Sequence, residues 1–331
     1  MKAPAFWEHK GLVSTLLLPA SWLYFCASYL RQMLHKPYQA SLPVICIGNI
    51  TSGGTGKTPT TAFIAHMMEK SGKRPVILSR GYGGQIHGPI MVDHNSHKAK
   101  DCGDEPLLLA KSFPVVIARN REKGARFIES LQKYDAIIMD DGMQNPQLAK
   151  DLIICVFDGN IGLQNQRLFP SGPLRESLGT ALPDIDLAII NGRDHTNLTP
   201  KMGAVPVITA ALEAKTPPAT SQDSDALWAF AGIGQPERFF STLRKMNCHL
   251  AGSTAFGDHH NYREDELVVL DIKARQHNAR LITTEKDWVR LSPDWQKKIA
   301  YLPVSLHISK PDIALLQSIL STSSTSSTKA L

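Results

Sequence analysis

The sequence is poor in cysteine and has no closely spaced cysteine pair. Its five cysteines, Cys26, Cys46, Cys102, Cys155 and Cys248, are odd in number and lie far apart along 331 residues. Disulfide frameworks and structural zinc sites both depend on paired, regularly spaced thiols. The sequence therefore argues against both, and it predicts a protein of a reducing compartment.

Runs of positive charge are also lacking. Lys and Arg total 36 against 30 Asp and Glu, a net charge of +6, but they form no basic stripe and no aromatic-rich RNA-binding signature. Nucleic acid is therefore not expected as a partner. Much of the excess lies before residue 40, where Lys2, Lys10, Arg31 and Lys36 accompany a single acid, Glu8. A basic N-terminus of this kind suits an anionic lipid surface.

Long apolar runs are lacking except at the N-terminus. Residues 12–30 carry no formal charge, and as a helix they would extend about 28 Å, close to the hydrocarbon core of about 30 Å. The run is accompanied by aromatic side chains of the kind found at membrane interfaces, namely Trp7, Trp22, Tyr24 and Tyr29. We predict a membrane-associated helix within residues 1–35. Whether it spans the bilayer or lies in the interface is open, because Pro19 would kink a straight span, and a buried core helix is the alternative.

After residue 40 the chain alternates short β-branched strands with helical stretches. Strands that are apolar throughout are typical of a parallel sheet covered on both faces. We therefore predict the α/β class, with a doubly wound, mostly parallel sheet over residues 36–212. A segment rich in Pro, Ala, Thr and Ser at 211–225 predicts a junction to a smaller C-terminal α/β domain over 213–320. The Ser- and Thr-rich residues 321–331 are predicted to form a disordered tail.

A glycine-rich loop separates the first predicted strand from the first helix of this domain. It consists of Thr51, Ser52, Gly53, Gly54, Thr55, Gly56, Lys57 and Thr58. In phosphate-binding loops the glycines let backbone N–H groups surround phosphate oxygens, the lysine reaches the β- and γ-phosphates, and the hydroxyl binds Mg²⁺. Thr51 replaces the first glycine of the usual pattern, but the strand–loop–helix context is right. We predict an ATP site here, which makes the sheet P-loop NTPase-like.

Two adjacent carboxylates, Asp140 and Asp141, follow another buried strand. P-loop enzymes hold Mg²⁺ partly through a carboxylate in this position, so Thr58, Asp140 and Asp141 are the predicted metal ligands. Neighbouring residues of an extended chain point to opposite sides, and the pattern does not decide which aspartate contacts the metal.

Two departures from known patterns narrow the class of P-loop protein. A GTPase would have Asn-Lys-x-Asp after a late strand, but Gly192 stands in place of that lysine. A dimeric ATPase of the partitioning or transport type has a signature lysine in its loop, and that position is Ser52 here. The GTPase is disfavoured, and a membrane-recruited dimeric ATPase is the alternative to a small-molecule or lipid kinase.

Taken together, the motifs resemble those of the tetraacyldisaccharide 4′-kinases, the lipid A 4′-kinases of Gram-negative bacteria. The resemblance covers residues 5–310 and depends on the apolar N-terminus and on ordered segments: the loop 48–59, SRGYG at 79–83, GDEP at 103–106, DDGMQ at 140–144, PSGPLRE at 170–176, FGDHH at 256–260 and TEKD at 284–287. Each segment alone is weak, but the combination is specific. The family usually has Gly-Phe-Gln-His after the paired aspartates, and the effect of Met143 and Asn145 at those positions is open.

The resemblance implies transfer of the γ-phosphoryl group of ATP to the 4′-hydroxyl of a tetraacylated glucosamine disaccharide 1-phosphate in lipid A biosynthesis. It implies Mg²⁺ as a cofactor, this lipid and the membrane surface as partners, and a site at the cytoplasmic face of the bacterial inner membrane. A four-chain lipid leaves the bilayer only at a cost of about 0.8 kcal/mol per buried CH₂, so the enzyme has to act at the membrane. No obligate protein partner is predicted.

The resemblance also implies roles for individual residues. Lys57 would neutralise phosphate charge, and Asp104 would be the general base for the sugar hydroxyl. His259 would orient Asp104, with His260 as the alternative, and this pair would meet only if the two domains close on each other. The candidates for contacts with substrate or transition state are Tyr82, Glu105, Arg119, Arg121, Gln144, Arg175 and Glu176. Arginine suits phosphate because its planar fork binds two oxygens, but a surface salt bridge is an equally good interpretation of Arg119 and Arg121.

Overall fold

The computed structural model describes residues 4–215 and 226–326, and most of the predicted junction lies outside these ranges. The strands are β1 (Val44–Gly48), β2 (Pro75–Ser79), β3 (Ile90–Met91), β4 (Val115–Ile117), β5 (Ala136–Asp140), β6 (Leu152–Asp158), β7 (Leu187–Asn191), β8 (Val207–Ala214), β9 (Ala226–Ala231), β10 (Leu250–Ala255), β11 (Ala279–Thr284), β12 (Ala300–Leu302) and β13 (Val304–Ile308). The α-helices are α1 (Leu12–Leu16), α2 (Leu18–Met33), α3 (Lys57–Lys70), α4 (Ala99–Cys102), α5 (Asp104–Leu109), α6 (Arg121–Ser130), α7 (Leu178–Ala181), α8 (Pro236–Lys245), α9 (Glu264–Gln276), α10 (Glu285–Trp288), α11 (Pro293–Lys298) and α12 (Lys310–Ser326). Short 3₁₀ turns lie at Ala5–Trp7, Leu182–Asp184 and Thr199–Met202.

The strands form a large sheet and a small one. The large sheet has the order β13-β8-β7-β6-β1-β5-β2-β4-β3, and its pairs are parallel except for the antiparallel edge pairs β13–β8 and β3–β4. The small sheet has the order β10-β9-β11-β12 and is parallel throughout. This architecture confirms the predicted α/β class with a mostly parallel main sheet.

The large sheet is covered on both faces, which explains its continuous apolar strands. Alternate residues of β1 divide between two core layers, with Val44 and Cys46 in one and Ile45 and Ile47 in the other. Helix α6 packs against the first layer and α3 against the second. Because side chains alternate along a strand, every position of such a strand is buried.

The C-terminal part of the chain differs from the predicted domain boundaries. The expected smaller domain, 213–320, included the strand that is now β13, but β13 pairs antiparallel with β8 at the edge of the large sheet. Helix α12 follows it and buries Leu316 in the same core layer as α3. Among the described residues, the smaller sheet thus comprises β9–β12. Helix α12 extends to Ser326, so residues 321–326 of the predicted disordered tail are helical, and 327–331 lie outside the described residues.

The N-terminal apolar run forms two helices that meet at Leu17, rather than one. Pro19 lies in the first turn of α2, where proline has no N–H to lose from the helix. In the described residues, 4–215 and 226–326, no helix combines the length and the apolar character needed to cross a membrane. The two helices expose most of their large apolar side chains, so they do not form the buried core helix considered above.

Candidate active site

The predicted nucleotide and metal residues lie at the carboxyl ends of central parallel strands of the large sheet. Strand β1 lies between β5 and β6, so the loop after β1 and the carboxylates after β5 lie side by side. Residues that follow β6 contact the loop after β1. Ser52 N–H donates to the Pro173 carbonyl at 2.8 Å, and Thr51 forms an isolated antiparallel β-bridge with Leu174. Gly56 ends the loop with φ of +93°, a conformation that favours glycine.

The first turns of α3 face both aspartates. Lys57 Nζ lies 3.8 Å from Asp141 Oδ1, and one turn later Thr61 Oγ1 donates to Asp140 Oδ1 at 3.1 Å. Burial lowers the pKa of Lys57. Asp141 adopts φ of +49°, which ends the extended strand. The expected opposite orientation of the two carboxylates therefore does not apply, and both side chains contact α3.

The two aspartates have different electrostatic surroundings. Burial would raise the pKa of Asp141, but Lys57 and Arg175 outweigh it and lower the pKa. Arg175 Nη1 donates to Asp141 Oδ1 at 2.8 Å. Asp140 is 2% exposed and forms no ion pair within the described part of the chain. Burial, with the nearby Glu105 and Asp141 carboxylates, raises the pKa of Asp140 to about 7.

These surroundings fit a divalent cation. A buried carboxylate without a direct ion-pair partner is costly, and a bound cation would supply that partner. In the described residues there is no cluster of three or more His, Cys, Asp or Glu side chains that could hold a metal alone. Mg²⁺ does not require one, since it commonly uses one or two carboxylates together with phosphate oxygens and water. Thr58, whose hydroxyl side chain is buried, lies in the first turn of α3, the helix that contacts both aspartates.

Gln144 connects the aspartate loop to the segment after β6. Its amide nitrogen donates to Glu176 Oε1 at 2.6 Å and to the Asn49 carbonyl at 2.9 Å. Burial raises the pKa of Glu176, and the Gln144 hydrogen bond opposes this. Arg175 and Glu176 are adjacent, so the predicted residues Gln144, Arg175 and Glu176 form one group beside Asp141.

The two departures from the family pattern have different surroundings. Met143 is buried in the core, so close to Gly48 that a Cβ there would lie 2.6 Å from Met143 Cβ. Asn145 Oδ1 accepts from Gln147 N–H at 2.9 Å and thereby stabilises a local turn. The Met143 side chain therefore packs in the core, and the Asn145 side chain accepts a backbone hydrogen bond.

Asp104 and His259 meet across the two sheets. His259 Nδ1 lies 2.8 Å from Asp104 Oδ2, although 155 residues separate them. Asp104 is the first residue of α5, and His259 has φ of +56° in a turn tied to Gly232. The hydrogen bond to Asp104 raises the pKa of His259. Burial would raise the pKa of Asp104, but His259 and Arg290 outweigh it and lower the pKa.

The neighbouring histidine is engaged elsewhere. His260 Nε2 lies 2.9 Å from Glu266 Oε2, and its ring stacks on Phe256 with centroids 4.6 Å apart. The structure thus brings His259, not His260, to Asp104. The predicted residue Tyr82 is 72% exposed, and its ring lies edge-on to His259 at 6.1 Å.

Glu105 forms a second contact between the two sheets. Its Oε1 accepts a short hydrogen bond from Lys286 of α10. Burial would raise the pKa of Glu105, but Lys286 and then Lys57 lower it. Since Lys57 and Asp141 both act on Glu105, the start of α5 lies close to the phosphate loop.

The two remaining predicted arginines differ in their surroundings. Arg121 is 2% exposed, which excludes a surface salt bridge, and its Nε has no hydrogen-bond partner among the described residues. Burial lowers the pKa of Arg121 to about 10, and Asp140 opposes this. Arg119 Nη2 donates to the Gly84 carbonyl at 3.3 Å.

Sequence reasoning missed Arg290. Its Nη2 lies 2.6 Å from Asp104 Oδ2, and it is four residues after Lys286. Lys286 and Arg290 contact the consecutive carboxylates Glu105 and Asp104, but nothing in the sequence links these two distant segments.

Comparison with known proteins places the chain in a family. The family model for tetraacyldisaccharide-1-phosphate 4′-kinase (LpxK) matches residues 13–322. This chain belongs to the tetraacyldisaccharide 4′-kinase family. The family consists of phosphotransferases, and the dimeric ATPase alternative is not favoured.

Relatives and a solved structure agree over nearly the whole length. The tetraacyldisaccharide 4′-kinase of Methylobacterium nodulans is 44% identical over 326 residues, covering 97% of this chain and 96% of the relative. That of Maricaulis maris is 41% identical and covers 94% of both chains. A crystal structure of LpxK from Aquifex aeolicus, described as an "apo" form in complex with ATP, superposes with a TM-score of 0.75 at 25% identity. The alignment covers 94% of this chain and 99% of that one.

Proposed function

We propose that this chain transfers the γ-phosphoryl group of ATP to the 4′-hydroxyl of a tetraacyldisaccharide 1-phosphate, using the two groups of residues described above. The loop 51–58 binds the phosphates, and Lys57 neutralises charge on the β- and γ-phosphates. Asp104 accepts the acceptor hydroxyl proton. The observation that carries this proposal is the Asp104–His259 pair, which the smaller domain completes beside the phosphate loop.

The proposed reaction is a direct transfer of the γ-phosphoryl group from ATP to the sugar, with Asp104 as the proton acceptor. The sugar O4′ forms a bond to the γ-phosphorus while its proton passes to an Asp104 carboxylate oxygen. The bond from the γ-phosphorus to the bridging oxygen breaks, and its electron pair leaves with ADP. His259, held at 2.8 Å, keeps the carboxylate ionised and oriented. Arg175, Gln144 and Glu176 are proposed to contact the transferring phosphoryl group or the substrate, together with Tyr82, Glu105, Arg119 and Arg121.

Mg²⁺ is proposed to bind at Asp140 and Thr58, with Asp141 as the second carboxylate. When bound, the ion neutralises charge on the β- and γ-phosphate oxygens. Asp140 is the stronger candidate for direct contact, because Asp141 is already paired with Lys57 and Arg175. Asp141 then connects the phosphate loop to Arg175.

The N-terminal helices are proposed to contact the membrane surface at the cytoplasmic face of the inner membrane. These helices and Leu34, which follows α2, expose many large apolar side chains: Leu12, Val13, Leu16, Leu18, Trp22, Leu23, Phe25, Tyr29, Leu30, Met33 and Leu34. A patch of this kind marks an interaction surface, and lysines and arginines nearby favour anionic lipid. The opposite side is docked on the protein, where Ser21 Oγ donates to the Leu168 carbonyl at 2.8 Å and Trp7 Nε1 to that of Pro170 at 3.0 Å.

The segment that contacts α1 and α2 also contacts the phosphate loop. Arg167 Nη1 donates to Ser14 Oγ at 2.8 Å, and the same segment continues to Pro173 and Arg175 at the phosphate loop. A lipid held at α1 and α2 is therefore presented near the site by a segment that contacts both.

The test is a phosphate-transfer assay with γ-labelled ATP, Mg²⁺ and tetraacyldisaccharide 1-phosphate in mixed micelles. We expect label in the lipid, strict dependence on the lipid, and a strongly reduced rate of product formation with Lys57→Ala. Lipid-independent release of phosphate that rises steeply with protein concentration would instead support the dimeric ATPase.

A further inference from the structure

The guanidinium of Arg290 connects the smaller domain to the proposed base. Its Nε donates to Asp104 Oδ2 at 2.8 Å, and its Nη2 lies 2.6 Å from the same oxygen. Its Nη1 donates to the Gly232 carbonyl at 3.0 Å and to Asp287 Oδ1 at 2.9 Å. The side chain is 5% exposed, so these contacts are shielded from water. All three nitrogens are therefore occupied.

Asp287 holds the guanidinium of Arg290 at the nitrogen that does not contact Asp104. It is fully buried, and its Oδ1 accepts from Tyr262 Oη at 2.9 Å and from Gly232 N–H at 3.1 Å, while Oδ2 accepts from Thr284 Oγ1. A carboxylate with this many donors has little freedom to rotate, and the planar guanidinium paired with it is held in one orientation. The TEKD segment thus has a connection to the site that its sequence alone did not indicate.

The arrangement treats the two oxygens of Asp104 differently. Oδ2 receives Arg290 Nε, Arg290 Nη2 and His259 Nδ1, whereas Oδ1 has no hydrogen bond from the described residues. We propose that Arg290 is a positioning residue that fixes Oδ2 of Asp104 and leaves Oδ1 to accept the proton of the acceptor hydroxyl. This inference rests on the proposed role of Asp104 as the base.

The charges around Asp104 give the role a pH signature. The charged groups that act on it are His259 and Arg290, while Asp258 acts on His259, and Asp104 itself contributes to the raised pKa of the neighbouring Cys102 thiol. Burial alone would raise the pKa of Asp104, and Arg290 is one of the two groups that reverse this. Without the arginine, Asp104 should take up a proton at a higher pH, and the base should be lost earlier as the pH falls.

The experiment compares full-length Arg290→Met, which removes the charge but keeps the stem, with Arg290→Lys, which keeps the charge but loses the fork. Arg244→Met, at an exposed arginine of α8, is the matched control. For each folded variant, kcat and KM for ATP and for lipid are measured across the pH range in which the wild type is stable. Arg290→Ala is also assayed with added guanidinium chloride at millimolar, non-denaturing concentration.

We expect Arg290→Met to lower kcat at least tenfold with little change in KM for ATP, and to move the acidic limb of kcat/KM upward by about 1–3 pH units. Arg290→Lys should lower kcat but keep the wild-type limb, and guanidinium should restore part of the activity of Arg290→Ala. Arg244→Met should match the wild type. A merely structural role would lower melting temperature and active fraction without moving the limb, and that result would overturn the inference.

Two further measurements keep the test decisive. If Arg290→Met does not fold, Arg290→Lys decides the question. A folded Arg290→Lys variant with full kcat overturns the inference. A folded Arg290→Lys variant with reduced kcat and unchanged KM for ATP supports it. Asp104→Asn is assayed in parallel. Full activity of Asp104→Asn would refute the proposed base itself, whereas an inactive Asp104→Asn beside unaffected Arg290 variants would refute only the role of Arg290.

Discussion

His259 Nδ1 lies 2.8 Å from Asp104 Oδ2, although Asp104 lies on a helix beside the large sheet and His259 lies in a turn beside the small sheet. Asp104 begins α5 beside the phosphate loop, and His259 follows β10 of the smaller sheet. A base that needs both residues is complete only while the two parts are in contact. Assembly of a site on closure is a general way to avoid reaction with water when no acceptor is bound.

The first prediction concerns this pair. Asp104→Ala and His259→Ala should each lower kcat by about 10²–10⁴-fold with little effect on ATP binding, because a general base acts mainly in the transition state. The double variant should be little worse than the worse single variant, since residues that act as a unit are non-additive. The measurement is kcat for lipid phosphorylation and Kd for ATP by calorimetry.

His260→Ala is the matched control for this pair, because His260 contacts Glu266 rather than Asp104. It should retain most of the activity. Losses in the double variant that equal the product of the single losses would show that Asp104 and His259 act independently.

The second prediction concerns the loop lysine. Lys57→Ala should lower kcat by 10²-fold or more, on the order of 3 kcal/mol of transition-state stabilisation, because no side chain of the loop itself replaces the charge. Binding to lipid vesicles should be unchanged, since the apolar helices lie elsewhere. Lys70→Ala, in the last turn of the same helix, is the control. Near-normal turnover in Lys57→Ala would show that this loop does not bind the reacting phosphates.

Much of the main sheet follows from local sequence. Strands such as β1 and β5 are apolar at every position because helices cover both faces, and this burial makes them visible in the sequence. The loop between β1 and α3 was predictable for a similar reason, because its glycines and lysine have few other uses at a strand–helix junction.

The placement of β13 and the role of Arg290 depend on long-range contacts instead. The segment Val304–Ile308 has a strand pattern that would serve either sheet, and only its pairing with β8 assigns it to the large one. Arg290 lies just after the TEKD segment and outside it, and its proposed role depends on Asp104, 186 residues away. Spacing within one segment contains no information about such a partner.

The third prediction concerns the metal site and uses the sign of a pKa shift. The pKa of Asp140 is about 7 in the folded protein and about 3.9 in an unfolded chain, so the folded state holds this proton more tightly. The contribution of Asp140 to stability therefore decreases as the pH rises from about 4 to 7, and remains low above 7. In EDTA, Asp140→Asn should raise the melting temperature relative to wild type at pH 8, and less so at pH 5.

The same variant should lose its response to the metal. Mg²⁺ with a non-hydrolysable ATP analogue should stabilise the wild type strongly and Asp140→Asn weakly, and the variant should have little kinase activity. Asp135→Asn is a control at a partly exposed carboxylate, where the hydrogen bonds from Arg74 lower the pKa to about 2. Its stability should change in the opposite direction at pH 8. Equal stabilisation of wild type and Asp140→Asn by Mg²⁺ and nucleotide would show that Asp140 does not hold the ion.

The last prediction concerns the apolar helices. Trp22 and Leu23 are 67% and 65% exposed on α2, and in water such a patch costs free energy that burial in an interface would recover. Replacing both with glutamate should abolish flotation with vesicles of phosphatidylethanolamine and phosphatidylglycerol, because it removes apolar area and adds repulsion from anionic lipid. Activity toward lipid in vesicles should fall at least tenfold, while Kd for ATP should stay the same.

The control adds the same charge to an exposed apolar pair on the smaller domain, Val268→Glu with Val269→Glu on α9. It should float with vesicles like the wild type. A water-soluble acceptor with short acyl chains should restore the activity of the Trp22→Glu/Leu23→Glu variant, since its phosphate loop and Asp104 pair are unchanged. Equal flotation of both double variants would refute the assignment of α1 and α2 to the lipid surface. Loss of activity toward the short-chain acceptor as well would mean instead that these helices support the site through Arg167 and the segment leading to Arg175.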